Sequence, residues 1–150
     1  MSTYPDIRDL LPHDSPMILL DRVLDIRDSG LTAQVAITPQ SLFADERGVP
    51  AWVGLEYMGQ AIAAYAGARA RRRGEPVRIG FLVGSRRYEA GCAYFSLGAQ
   101  LTVSADSVTE SPQGLSVFEC TIRGPDVAIR ANLNVYQPDN IEAFMRENAS

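Results

Sequence analysis

Two cysteines, one histidine and one tryptophan in 150 residues set the first limits on this chain. Cys92 and Cys120 alone cannot form a disulfide framework, and a reducing compartment suits them. A zinc site takes three or four N, S or O ligands at characteristic spacing, and with His13 as the single imidazole no such cluster is visible. Excess positive charge is lacking too. Fourteen Lys and Arg against 18 Asp and Glu give a net charge of −4, which argues against a nucleic-acid binder relying on bulk charge. Met1 to Arg8 has no basic start leading into an apolar run, so no secretory leader is expected. The most apolar stretch, Ala51 to Ala68, is interrupted by Glu56, Gln60 and small residues, so a membrane span is not expected either. Repeats, linkers and low-complexity segments are missing. The length is that of one domain, 1–150, and the composition is that of a globular chain expected in the cytoplasm.

What is present is a clear alternation of patterns. Asp6 to Leu11 reads as a short helix stopped by Pro12. Met17 to about Arg27 reads as a strand, Asp28-Ser29-Gly30 as a turn, and Leu31, Ala33, Val35 and Ile37 as one face of a second strand, together a hairpin. Thr38 to Pro50 is a loop. Trp52 to about Arg73 is a long helix, apolar nearly all round in its first part, ended by Gly74 and Pro76. Four strands follow: Arg78 to Tyr88, Ala99 to Thr109, Gly114 to Arg123 and Val127 to Val135, the last two joined by a turn at Gly124-Pro125-Asp126. Asp139 or Asn140 can cap a short final helix carrying Ile141, Phe144 and Met145. This order predicts an α+β domain in which one mainly antiparallel, curved sheet wraps a central helix. One sheet cannot enclose a helix completely, so a second subunit is expected to complete the burial.

Three features carry potential chemistry. Glu56 lies near the start of the apolar helix among Leu55, Tyr57 and Met58, with Gln60 one turn on. A carboxyl group kept out of water has a raised pKa and can donate a proton near neutrality. The plain alternative is a first-turn acid that stabilises the helix dipole. His13 can take a proton near pH 7, or simply fix its turn by hydrogen bonding to backbone. Arg69, Arg71, Arg72 and Arg73 at the helix end, with Arg86 and Arg87 on the next strand, form a basic patch. It suits an acidic protein or a phosphate, and equally a solvated helix C-terminus. The cysteines lack a nucleophile motif. Ser85 lacks a Gly-x-Ser-x-Gly elbow, and Gly80-Phe-Leu-Val-Gly84 lacks the Lys and helix of a phosphate loop.

Two segments resemble a known family. Leu11-Pro-His-Asp-Ser-Pro-Met-Ile-Leu-Leu-Asp-Arg-Val23 is similar to the opening motif of the beta-hydroxyacyl-(acyl carrier protein) dehydratases. Gly54-Leu-Glu-Tyr-Met-Gly-Gln60 is similar to the signature of their central helix. Gly80-Phe-Leu-Val-Gly-Ser-Arg-Arg-Tyr88 resembles a divergent branch, the dehydratase-like proteins of aryl-polyene pigment clusters. The resemblance spans nearly the whole chain and implies a hot-dog fold. It implies elimination of water from a 3-hydroxyacyl thioester on acyl carrier protein to give a trans-2-enoyl thioester, in fatty-acid or polyene-type biosynthesis, without a cofactor. It carries the family's helix Glu onto Glu56. The family's loop His falls at Leu42, and its Pro-Gly becomes Pro50-Ala51. His13 is therefore the candidate base and Glu56 the candidate acid. Gln60, Trp52, Met58 and Phe81 are expected at the substrate, and the six arginines at the carrier. A homodimer, or a heterodimer with a related dehydratase, is expected. The alternatives are a non-catalytic carrier-binding or partner subunit, and a hot-dog acyl thioesterase.

Overall fold

In the computed structural model, residues 4–11, 17–75, 81–86, 88–111 and 114–136 are described, with 81–86 described by backbone alone. The expected final helix and His13 lie outside these residues. The chain begins with α1 (Ile7–Leu10), capped by the Asp6 carboxylate, which accepts from the Arg8 N–H at 2.9 Å. The same carboxylate pairs with the Arg8 guanidinium, and these contacts hold its pKa down at about 2. Strands β1 (Arg22–Arg27) and β2 (Gly30–Ala36) form the expected hairpin. A short β3 (Val49–Pro50) and a 3-10 turn (Ala51–Val53) lead into the long α2 (Gly54–Arg72). Then come β4 (Phe81–Arg86), β5 (Tyr94–Phe95), β6 (Gln100–Glu110), β7 (Leu115–Gly124) and β8 (Val127–Tyr136).

The sheet order is β1-β2-β6-β7-β8-β4, with every pairing antiparallel. Alternation puts one set of side chains on the inner face. One row runs Ala33, Val103, Ile122 and Ile129; the next runs Leu31, Ala105, Cys120 and Ala131. All eight are buried. The outer face is polar, with Thr32 and Ser104 hydroxyls 2.9 Å apart and Arg27 joined to Asp25 and Asp106. The second inner row is made mostly of small residues, and α2 is rich in Ala and Gly where it faces the sheet. Backbones can therefore approach closely. Tyr57 stacks on Phe95 and Tyr65 meets Phe118 edge to face, and these rings fill the space at either end of the contact.

Helix α2 ends where Gly74 takes φ +69°. The Glu75 N–H reaches the Ala70 carbonyl and the Gly74 N–H that of Arg71, so the last carbonyls are satisfied. Its other close approach is to α1. A side chain at Gly67 would overlap the Leu10 carbonyl.

One expectation requires correction. The strand expected from Met17 begins only at Arg22, because the Gln60 side chain takes up backbone groups of Met17 and Leu19, as described below. The single sheet, as expected, leaves one side of the helix open. Trp52 is 60% exposed, and Leu55, Gly59, Ala63 and Ala66, which share its side of the helix, are only partly covered. The β3–β5 pair, Val49 against Phe95 and Pro50 against Tyr94, was not foreseen. Among the described residues, no helix is long and apolar enough to cross a membrane.

Gly67→Ala is expected to destabilise the fold by about 1–3 kcal/mol, the usual cost of overpacking, read from the midpoint of urea unfolding.

Candidate functional site

The 3-10 turn aims the start of α2. Tyr88 donates to the Ala51 carbonyl at 2.6 Å, and its phenol, pushed up to about 12 by burial, remains a donor. Val53, the residue before the helix, supplies no side-chain cap; the 3-10 turn runs into α2, and its Ala51 and Trp52 carbonyls take the Gly54 N–H. Glu56 lies in that first turn and is exposed. The expectation of a dry carboxylate is thus corrected for the single chain. Leu55, Tyr57 and Met58 adjoin Glu56 in sequence, but each step along a helix turns about 100°. Tyr57 and Met58 go to the core, while Glu56 faces outward. The surface beside it is open: a side chain built at Gly59 would meet nothing within 4 Å. Trp52 extends this open apolar strip and packs on Phe43 with ring centroids 5.3 Å apart. Phe43 has φ +70°, and its ring is 49% exposed.

Gln60 was expected at the substrate. It is 1% exposed, with its carbonyl accepting from the Leu19 N–H at 2.8 Å and its amide donating to the Met17 carbonyl at 2.6 Å. These contacts make it a clamp on the segment before β1. Met58 is fully buried in the core. Phe81 is placed by its backbone on β4, opposite Tyr136.

The arginines divide. Arg69 bonds Glu110 at 2.5 Å and lies over the Tyr65 ring, so its charge is engaged. Arg71 and Arg72 make only long contacts, 4.0 Å to Asp9 and 3.6 Å to Asp28. Arg73 is exposed at the helix end. Arg87 and the Arg86 side chain lie outside the described residues. Cys120 is buried in the middle of the sheet, its thiol pushed up to about 12 by desolvation, and is unsuited to nucleophilic work.

Sequence reasoning missed a cleft of about 400 Å³ between the segment before β1, the end of β2 and the loop after it. Asp21, Ser41, Leu42 and Tyr57 are among the residues lining it. The Asp21 carboxylate accepts the Ala36 N–H at 2.5 Å and so holds this corner together. Leu42, which the resemblance equates with the family's loop His, stands at this cleft. The sequence signal for it was Tyr57, an aromatic ring on the buried side of α2.

A six-stranded antiparallel sheet around one long helix, with an acid in that helix's first turn, defines a hot-dog domain. The chain belongs to the ApeP-like family, described as ApeP dehydratase, which matches residues 5–146. It is similar to a chain of the dehydratase heterocomplex ApeI:P from Xenorhabdus doucetiae, with 26% identity, a TM-score of 0.84, and coverage of 97% of this chain and 99% of that one. A hypothetical thioesterase with coenzyme A from Streptococcus pneumoniae TIGR4 shares the fold at 13% identity and TM-score 0.60, with 77% of this chain and 84% of that one covered. The PaaI protein of E. coli, from a phenylacetic acid degradation operon, does so at 10% identity and TM-score 0.58, with 76% and 80% covered. No curated protein sequence matches the chain.

Replacing Gln60 by Leu leaves the Leu19 N–H and the Met17 carbonyl without their partner. The expected loss is about 2–4 kcal/mol in denaturant unfolding, with faster amide exchange at Leu19.

Proposed function

We propose that this chain is one subunit of a 3-hydroxyacyl-(acyl carrier protein) dehydratase and presents Glu56 to a site completed by a related hot-dog subunit. The observation carrying this reading is the position of Glu56. It is a single acid on an open, largely apolar strip formed with Trp52, Leu55, Gly59 and Ala63. Covering that strip would take the carboxyl group out of water and set it against the substrate, as a general acid requires. The replacement of the family's loop His by Leu42 supports a second chain in the chemistry, as does the likeness to a chain of a dehydratase heterocomplex.

In the elimination, a base takes the proton from the carbon next to the thioester carbonyl. The electron pair forms the new double bond, the C–O bond at the third carbon breaks, and Glu56 gives its proton to the departing hydroxyl, which leaves as water. Backbone N–H groups near the start of the helix would hold the thioester carbonyl as charge develops on it. The base is His13, from this chain or its neighbour, or an imidazole of the partner. Trp52 and Phe81 would border the acyl chain. No cofactor is needed.

The test is reconstitution with a related hot-dog partner and 3-hydroxyacyl carrier protein, following enoyl formation. Glu56→Gln is expected to lower kcat by about 100-fold or more while stability changes by less than about 0.5 kcal/mol. Unimpaired turnover would take the acid role from Glu56, and release of free acid without enoyl product would select a thioesterase.

Arg71 and Arg72 hold their acidic neighbours only loosely, at 4.0 and 3.6 Å, and suit an acidic carrier. Reversing both to Glu is expected to weaken carrier binding roughly tenfold at low salt and much less at high salt. Titration calorimetry at two ionic strengths measures this.

A further inference from the structure

Glu56 makes no hydrogen bond or ion pair among the described residues, so what aims its carboxyl group is the backbone of its own turn. That turn has no side-chain cap and is tied down from elsewhere. Ala51, which opens the 3-10 turn, is held through both of its backbone polar groups. Its N–H donates to the Ala93 carbonyl at 3.0 Å, and its carbonyl accepts from the Tyr88 hydroxyl at 2.6 Å. Val49 and Pro50, just before it, pair with Phe95 and Tyr94. The segment from Tyr88 to Phe95 thus carries the start of α2. Among the described residues, Tyr88 supplies the side-chain tie in this set.

Gly54 makes room for that tie. Its φ of −56° is one that any residue adopts, so glycine is not needed there for conformation. It is needed for space: a side chain at Gly54 would overlap the Tyr88 hydroxyl, with Ile122 and Phe95 close behind. The Ala51 carbonyl also takes the Gly54 N–H, so the phenol and the first turn of the helix meet at one oxygen. Burial keeps the phenol protonated, and therefore a donor, across the neutral range. We propose that Tyr88 is a positioning residue for Glu56: its hydroxyl fixes the Ala51 carbonyl, and through it the angle at which the first turn of α2 presents the acid. This rests on the dehydratase reading of Glu56. Misplacing a reacting group by about 1 Å can cost up to about 100-fold in rate, whereas one neutral hydrogen bond contributes only modestly to folding.

The experiment places Tyr88→Phe in the reconstituted dehydratase complex and follows enoyl formation from 3-hydroxyacyl carrier protein, with the folded fraction of each variant read from urea unfolding. The ring and its packing stay, and only the hydroxyl is lost. The expected result is a fall in kcat of about tenfold with KM within about twofold of wild type. In a Glu56→Gln background the same substitution is expected to change kcat by less than about twofold, since no acid is left to place. Gly54→Ala, which pushes the hydroxyl off its carbonyl, is expected to lower kcat in the same way and to cost nothing further once Tyr88 is Phe. Unchanged kcat in Tyr88→Phe, an equal fall in both Glu56 backgrounds, additive losses in the Gly54→Ala, Tyr88→Phe pair, or a loss that only tracks the unfolded fraction would overturn the assignment. A wild-type complex that forms no enoyl product removes the dehydratase reading itself, whereas an active wild type with an indifferent Tyr88→Phe removes the role of Tyr88 alone.

Discussion

Everything in this domain depends on how closely α2 can lie against the inner face of the sheet. Ala105, Cys120 and Ala131 make one inner row of the sheet shallow, and Ala61, Ala64 and Ala68 of the helix belong to the same buried core. Dispersion and apolar burial then act over backbone-to-backbone separations that larger side chains would forbid. The same closeness limits which helix positions can carry bulk. Tyr57 and Tyr65 are accommodated because Phe95 and Phe118 receive their rings. With the helix axis fixed in this way, Gln60 reaches the Met17–Leu19 segment, Tyr57 reaches the cleft and Glu56 faces outward.

The polar work of the helix is accordingly divided by face. Gln60 turns inward and spends its amide on two backbone groups. Glu56 turns outward onto an apolar strip that its own chain leaves open. Of the basic residues at the far end, Arg69 is drawn onto Glu110 and Tyr65, while Arg71 and Arg72 keep most of their hydration. Two of the features expected to bind substrate or carrier, Gln60 and Arg69, are thereby committed to holding the domain together.

Much of the sheet was legible in the sequence, because alternation survives wherever one face is buried and the other wet. Val127 to Val135 shows this best, and the observed β8 follows it. The start of β1 was not legible, since a glutamine 41 residues away competes for the backbone there. The exposure of Glu56 was misread because neighbours in a helical sequence point to different sides. The tie between Tyr88 and the Ala51 carbonyl carried no sequence signal, since it depends on how the segment before β5 packs. The family motifs located Glu56 and the substitution at Leu42, and a partner's covering of the open strip cannot be read from one chain's pattern.

The order of the strands has a consequence for how the domain assembles. β7 and β8 are joined by a tight reversal at Gly124 to Val127, and β6 lies next to β7, so this meander can form from contacts near in sequence. β2 must instead find β6 across a loop that includes all of α2: Thr32 and Ser104, hydroxyl to hydroxyl, are 72 positions apart. Closing that loop carries an entropic cost that the short reversal does not. The pairing of β2 with β6 therefore carries the larger closure cost, and the cleft at the end of β2 depends on it.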